Sequence, residues 1–163
     1  MRLKIFRGAF AVGLAVLLVC AGLFWGALSH IYEEQLFAQL AAEAAYVAQG
    51  VQISGKEYFN ALKTDDRVTW IDADGRVLYD SAADAVSMEN HLGREEISQA
   101  IERGTGRSVH FSDTLLKKTF YCAQRLTNGT VVRVSCTQGT AAALLMRLMK
   151  PIVWAVLVVA ALS

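Results

Sequence analysis

The chain has 163 residues, of which 54% are hydrophobic, and its formal net charge is +1. This length allows one domain of modest size in addition to membrane segments. A nearly neutral chain without a basic stripe excludes nucleic acid as the expected partner.

Two hydrophobic segments lie on either side of a polar middle region. Residues 8–29 carry no charge, and a helix of that length spans about 30 Å, which matches a bilayer core. The second segment, residues 150–163, has too few apolar residues for a span that needs about twenty. We therefore expect a first transmembrane helix at 8–29 and the truncated start of a second one at 150–163.

The charges beside these segments predict the topology. The tail, residues 1–7, holds three cations and no anion, and basic tails stay in the cytoplasm. Residues 30–149 are therefore expected outside the bacterial cytoplasmic (inner) membrane, although Arg147 and Lys150 at the outer edge of the second segment are evidence against this orientation. A cleaved signal peptide is the alternative, but its hydrophobic core typically has about 7–15 residues.

The first element predicted after the span is a helix over residues 30–50, because Ala is abundant and Gly50 is a natural stop. Its apolar side chains recur at spacings of three and four, which is typical of a seam between helices: Phe37, Leu40, Ala44, Val47 and Val51. This stripe predicts either a dimer seam or packing on the chain's own domain. Ser54 and Glu57 have the spacing of a capping box before a second, short helix.

Five strands are predicted next, over residues 67–71, 76–80, 107–112, 119–126 and 130–136. Gly75 supplies the positive φ of the first turn. A helix over residues 94–103, ended by Gly104, lies between the second and third strands. Residues 137–149 are expected to form an exit helix that runs into the second span.

The dipeptide Asn128-Gly129 predicts a two-residue hairpin between the last two strands. In that register facing residues have numbers that sum to 257. Tyr121, Ala123, Val132 and Val134 then share a buried face, Arg133 is exposed, and Cys122 and Cys136 lie on opposite faces without a disulfide.

A sheet with flanking helices indicates an α+β sensor-type fold. Catalytic and metal-binding motifs are not visible, and the three histidines, His30, His91 and His110, lack the spacing of metal ligands. We therefore predict no catalytic residue, no metal site and no cofactor for this chain.

Five short motifs follow one another between the apolar segments: Asp74–Ser81 (DGRVLYDS), Met88–Ile97 (MENHLGREEI), Gly104–Gly106 (GTG), Phe111–Leu115 (FSDTL) and Phe120–Ala123 (FYCA). In this order they resemble the extracytoplasmic sensor region of bacterial PhoR-like two-component sensor histidine kinases. The resemblance covers about residues 66–136. It implies a PAS-like or Cache-like antiparallel sheet of about five strands over residues 51–136, with flanking helices, between two transmembrane helices.

The resemblance also implies a function. The chain would be the N-terminal sensor and membrane fragment of a histidine kinase, which detects an extracytoplasmic signal and relays it through the membrane helices. It would form a homodimer through helices 31–49 and 141–162, and a response regulator, ATP and Mg²⁺ would belong to a kinase part beyond this fragment. The alternatives are a membrane-anchored binding protein and the sensor of a chemoreceptor or a cyclic-dinucleotide enzyme.

Arg94 is the first candidate ligand-binding residue. It stands at a predicted helix start, where free N–H groups and a cation can hold an anion together. Tyr79, Asp80, His91 and His110 are expected to line the same concavity. The alternative is a structural salt bridge between Arg94 and Asp80 or a neighbouring Glu, and the ligand, a small molecule or a protein, is not identified by the sequence.

Overall fold

A computed structural model describes residues 2–112 and 117–139, with side chains for 12–112 and 117–138. Three α-helices and five strands lie in these ranges: α1 (Arg2–Ser54), α2 (Tyr58–Ala61), β1 (Arg67–Ile71), β2 (Val77–Asp80), α3 (Glu95–Arg103), β3 (Thr105–Ser112), β4 (Lys117–Arg125) and β5 (Val131–Gly139). The first three residues of the predicted exit helix, 137–139, are instead the end of β5. The rest of that helix and the expected second membrane segment lie outside the described residues. The chain divides into two compact units, Met1–Ala38 and Gln39–Ser163.

The first unit consists of the N-terminal part of α1. Within the described part of the chain, α1 is the one helix whose length and composition suit a membrane crossing. Its apolar side chains are exposed, with Leu23 and Phe24 showing 71% and 70% of their surface. A helix that is apolar all round and uncovered by protein has the properties expected of a span.

The second unit is built on a five-stranded antiparallel sheet with the order β2-β1-β5-β4-β3. The fold class is therefore α+β, as the sequence predicts. β5 is the central strand, and its residues Val131–Ser135 are all buried. Neighbouring residues of a strand point to opposite faces, so five consecutive buried residues need cover on both faces of the sheet.

One face, here called the α1 face, carries Val68, Trp70, Phe120, Cys122, Val132 and Val134. The part of α1 within this unit, residues 39–54, lies over it, as the effect of the Glu43 charge on Cys136 of this face indicates. The stripe predicted for this helix is buried here from Leu40 to Val51. From α2, Phe59 stacks on Tyr79 with ring centroids 4.0 Å apart. Between residues 40 and 51 the stripe therefore packs on the chain's own domain rather than forming a dimer seam.

The opposite face, here called the α3 face, has a small apolar core under α3. Its members are Ile71, Val77, Ile97, Ala100, Ala123 and Val131, with Ala85, Met88 and Ile101 packed against them. Gly106 of β3 allows α3 to lie this close, since a Cβ there would overlap the backbone of Glu96 and come within 2.9 Å of the Ala100 nitrogen. Ile97 and Ala100 have no exposed surface, so this side of α3 is fully packed against the sheet.

The predicted register of the last hairpin is wrong by one residue. Leu126 N–H donates to the Thr130 carbonyl at 2.8 Å, so the loop has three residues, 127–129, with Gly129 at φ 86°. Facing residues now sum to 256, and Arg133 pairs with Ala123. Val132 and Val134 thus lie on the α1 face, while Arg133 lies buried on the α3 face with Tyr121 and Ala123.

The new register also changes the account of the two cysteines. Cys122 faces Val134 and Cys136 faces Phe120, so both thiols lie on the same face, diagonally offset. Diagonal neighbours are about 7–8 Å apart, which is too far for a disulfide. Neither cysteine is in a disulfide, as predicted, but because of the diagonal offset and not because of opposite faces. Burial raises the pKa of the Cys122 thiol to about 11, which keeps it protonated.

The predicted capping box at Ser54 does not form. The α1 helix continues to Ser54, whose side chain makes no cap hydrogen bond to the short 3₁₀ turn Gly55–Glu57 that follows. Serine here therefore ends a long helix instead of starting a new one, and the chain turns at Gly55, where φ is 58°.

Candidate functional site: a buried polar chain on the α3 face

Six polar or charged side chains form a connected chain across the α3 face. Each comes from a different position on the sheet or its covering helix: Asp80 of β2, Arg67 and Thr69 of β1, Arg133 of β5, Glu96 of α3 and Ser108 of β3. All are buried except Arg67, which is partly exposed. We call these six residues the polar chain.

Arg133 lies at the centre of the polar chain, and its side chain is 5% exposed. Its Nη1 lies 3.3 Å from Glu96 Oε1, and its Nη2 donates to Thr69 Oγ1 at 3.1 Å. The guanidinium carbon lies 5.2 Å from the centre of the Tyr121 ring, within reach of a cation–π interaction. Among the described residues its Nε has no hydrogen-bond partner. Burial lowers the pKa of Arg133, and the carboxylate of Glu96 acts in the opposite direction.

Glu96 joins α3 to two strands. One of its oxygens accepts from Ser108 Oγ at 2.6 Å, and the other pairs with Arg133. Glu96 is 1% exposed, although it lies in the first turn of α3. The first turn is a favourable position for a carboxylate because the helix dipole is positive there. A buried charge needs such partners, and removing one of them is costly.

Asp80 ends the polar chain at the edge of the sheet. Its carboxylate accepts from Arg67 Nε at 3.0 Å, from Thr69 Oγ1 at 2.8 Å and from the N–H groups of Ala82 and Ala83. Burial raises the pKa of Asp80, but the hydrogen bonds from Ala82, Arg67 and Thr69 outweigh it, so the pKa is lowered. Asp80 is thus a charged anchor that holds the start of the loop after β2.

The loop after β2 is tied to the β1–β2 turn. His91 N–H donates to the Gly75 carbonyl at 2.8 Å, and the Asn90 side chain donates to the Asp74 carbonyl at 2.7 Å. Asn90 Oδ1 in turn accepts from Leu92 N–H. The motif Met88–His91 therefore has a structural role: it fixes the loop and places His91 next to the start of α3.

Four of the five predicted site residues lie on the α3 face. Asp80 belongs to the polar chain and pairs with Arg67, not with Arg94, for which it was one of the two partners in the alternative. His91 is buried, and Arg94 is an exposed N-cap residue whose charge acts on His91. His110 is exposed, and its ring meets the edge of Tyr121 with centroids 5.7 Å apart.

The fifth predicted residue, Tyr79, does not belong with the others. It pairs with Trp70 and therefore points to the α1 face, where it stacks on Phe59. Successive residues of a strand alternate between faces, so Tyr79 and its neighbour Asp80 cannot line one concavity. The structure corrects this assignment.

Sequence reasoning missed most of the polar chain, including its centre, Arg133. The signal was the run Val131-Val132-Arg133-Val134, which reads as a strand buried on both faces. An arginine inside such a run requires a buried acidic partner. The predicted α3 helix offers Glu95 and Glu96 for that role.

The described residues contain no group of three or more His, Cys, Asp or Glu side chains that fits a metal ion. The contacts that join the polar chain are hydrogen bonds and ion pairs. The described part of the chain is thus an α+β domain with a sheet covered on both faces, preceded by a helix suited to a membrane.

The comparisons with known proteins add one structural likeness. No protein-family model matches this sequence, and no curated protein matches it. The fold is similar to the crystal structure of the extracellular domain of a protein assigned as a histidine kinase, with a TM-score of 0.38 and 15% sequence identity. The match covers 50% of this chain and 35% of that one, so this chain spans about a third of the solved domain. A likeness at this level carries no argument about function.

Proposed function

We propose that this chain is the membrane-anchored, extracytoplasmic sensor region of a bacterial two-component histidine kinase of the PhoR-like type, located in the inner membrane. The observation that carries the proposal is the composition of α1. This one helix, Arg2–Ser54, contains both the exposed apolar segment and the stripe from Leu40 to Val51 that is buried in the sheet domain. Sensor core and membrane anchor thus share a single element.

The proposed mechanism uses this shared helix. A signal that changes the packing of the sheet would change the surface against which Leu40, Ala44 and Val47 are buried. Packed interfaces rearrange between discrete states, so the response would be a slide, tilt or rotation of α1. A homodimer through helices 31–49 and 141–162 would pass this motion to the kinase part, which in turn would use ATP, Mg²⁺ and a response regulator.

The proposed signal-receiving region is the α3 face. Arg94 and His91 lie at the start of α3. His110 of β3 lies further along the sheet on the same side of the domain. An anionic small molecule or an acidic protein surface suits these side chains. In this proposal Arg94 is the residue in contact with the ligand, because it is exposed.

The experiment that tests the proposal measures topology. Val86, which is 92% exposed in the loop after β2, is replaced by cysteine, and intact cells are treated with a membrane-impermeant thiol reagent. We expect Val86→Cys to be labelled in intact cells. Leu3→Cys in the basic tail is the matched control, and we expect the reagent to label it only after the cells are lysed. Labelling of Val86→Cys that also needs lysis would reject an extracytoplasmic sensor.

The kinase output is tested separately by the coding sequence downstream of Ser163. We expect a HAMP linker and then a histidine followed by Glu or Asp and Pro, the pattern of a phosphoacceptor box. A chemoreceptor or cyclic-dinucleotide output there would keep the sensor role and reject the kinase. A stop codon soon after the second span would favour a membrane-anchored binding protein.

A further inference from the structure

His91 occupies a joint between three parts of the domain. Its ring is on the loop after β2, its N–H is bonded to Gly75 in the β1–β2 turn, and its carbonyl accepts from Arg94 N–H where α3 begins. The residue is 5% exposed. A change at His91 therefore acts on the loop, the turn and the helix start at once.

The neutral form of the ring is fixed by one hydrogen bond. His91 Nδ1 lies 2.7 Å from the Glu89 carbonyl oxygen, which can only accept, so Nδ1 carries the proton. A second proton would add at Nε2 and make the buried ring a cation. The usual pKa of histidine, 6.5, means that this happens near neutral pH unless the surroundings oppose it.

The surroundings oppose a positive ring. The charged groups on the elements around His91 include Arg94 and Glu96 at the start of α3, Arg133 of β5, Glu89 of the loop, and Asp72, Asp74 and Arg76 of the β1–β2 turn; Asp84 of the loop and Glu95, Glu102 and Arg103 of α3 lie on the same elements. Burial, Arg133 and Arg94 lower the pKa of His91, and the Glu89 carbonyl and the Glu96 carboxylate oppose this shift. Glu96 is shared with Arg133, so its effect does not outweigh burial and the two arginines, and the pKa of His91 is lowered.

We propose that the loop after β2 and the start of α3 form an acid-sensitive latch, in which protonation of His91 releases the loop from the β1–β2 turn. A third cation beside Arg133 and Arg94 strains the hydrogen bonds through Gly75, Asp74 and Arg94 that hold the joint closed. Extracytoplasmic acidification then loosens the α3 face. The latch is a property of the domain itself, and its meaning as a signal rests on the proposed function.

The sign of the pH dependence follows from the lowered pKa. The latch is fully closed above the pKa of His91 in the unfolded chain, about 6.5. It weakens as the pH falls from there towards the lower pKa of His91 in the folded state, and then its stability levels off.

Glu43, on the opposite face, gives the reverse dependence. Burial is the largest cause that raises the pKa of Glu43, so protonation favours the folded state and stability is lost as the pH rises through the folded value.

The test is amide hydrogen exchange of the full chain in detergent micelles at about pH 7.5 and about pH 5.5, corrected for the intrinsic exchange rate. In the wild type we expect peptides within residues 85–98 to lose protection at the lower pH by no more than roughly tenfold, because pH 5.5 lies about one unit below the unfolded pKa of about 6.5. Peptides from β5 should keep theirs. No loss in residues 85–98, or an equal loss in β5, would overturn the latch.

Two histidine variants separate His91 from a general effect of acid. His91→Gln keeps a donor for the Glu89 carbonyl but does not titrate, so its protection should be the same at both pH values. His110→Gln, at an exposed histidine of the same face, should behave as the wild type. An acid response in His91→Gln as large as in the wild type would overturn the proposal.

Arg94→Gln decides the question if His91→Gln does not fold. Arg94 is exposed, so its loss should be tolerated, and one of the two cations that oppose a positive His91 disappears. The acid-induced loss of protection should then be smaller than in the wild type, and an unchanged loss would contradict the latch. These readouts need neither kinase nor membrane orientation, so their failure is distinct from failure of the topology experiment.

Discussion

At the scale of single residues, the fold is governed by a buried pair of opposite charges. Arg133 and Glu96 are both less than a twentieth exposed, and each depends on the other and on one hydroxyl, Thr69 or Ser108. A buried ion pair is weak evidence for stability, because hydrophobic residues often serve as well. Losing one partner alone is different, since the other charge is then buried without compensation.

Replacing Arg133 by Ala should therefore lower the free energy of unfolding by about 3–5 kcal/mol. Arg125→Ala is the matched control, because Arg125 is exposed and donates to the Ile101 carbonyl at 2.8 Å; we expect a loss of about 1 kcal/mol. Chemical denaturation of the full chain in detergent gives both values. The double variant Arg133→Leu with Glu96→Leu should recover much of the loss, and equal losses for the two single arginine variants would contradict a buried pair.

Arg94 is expected to behave in the opposite way. Because it is exposed at the N-cap of α3, Arg94→Ala should change the free energy of unfolding by about 0–1 kcal/mol. If the start of α3 binds the signal, a charge-assisted contact worth about 1.5–3 kcal/mol should be lost with the guanidinium. Thermal melting of wild type and variant with a panel of organic acids and phosphates measures both effects. An anion that stabilises the two proteins equally would remove Arg94 from the ligand site.

At the scale of elements, the sequence predicts which segments are helices and strands better than it predicts their register. Alternating hydrophobicity and the turn at Gly75 identify all five strands, and β3 and β5 each extend beyond their predicted bounds, to Thr105 and Gly139. The length of the hairpin loop could not be predicted from the sequence, for a physical reason. Gly129 provides a positive φ in both two-residue and three-residue loops, so the dipeptide Asn128-Gly129 does not choose between them.

The one-residue shift in register between β4 and β5 determines which side chains form the polar chain. A shift by one moves every side chain of a strand to the other face, so Arg133 changed from a predicted surface residue to the centre of a buried chain. The loop length is selected by contacts that lie outside the dipeptide. Asn128 Oδ1 accepts from both the N–H and the hydroxyl of Thr130, and Trp70 Nε1 donates to the same hydroxyl. The last of these contacts spans 60 residues and is invisible to local pattern reading.

The packing of α3 on β3 can be tested at a glycine. Gly106→Ala should lower the free energy of unfolding by about 1–3 kcal/mol, because the new methyl group meets the backbone of Glu96 and pushes α3 off the sheet. Gly93→Ala, just before the same helix, is the control, since nothing lies within 4 Å of its Cβ position; we expect a change of about 0.5 kcal/mol or less. Equal melting of the two variants would show that α3 is not in close contact with β3.

At the scale of the whole molecule, α1 has two different sides within residues 39–54. One side is the stripe buried on the sheet. The other side is exposed and repeats at spacings of three and four: Ala42, Tyr46, Gln49 and Ile53. Tyr46 and Ile53 expose 71% and 77% of their surfaces. If the protein is a homodimer through this helix, the exposed side must form the seam, because the stripe is already occupied.

Oxidative crosslinking in membranes tests this consequence. We expect Tyr46→Cys to form a disulfide-linked dimer, because cysteines on facing helices of a seam approach closely enough for the bond. Ala41→Cys is the matched control: it is also exposed, but at 100° per residue it lies about 110° around the helix from the centre of the exposed side. Both variants carry the same native cysteines, Cys20, Cys122 and Cys136, so any background from these thiols is equal in the two. Dimer bands of equal strength for the two variants, or none for Tyr46→Cys, would exclude a seam on this side of α1. The proposed homodimer would then have to rest on the membrane segments alone, and the sheet would have to act on the proposed kinase part without a direct contact between the two sheet domains.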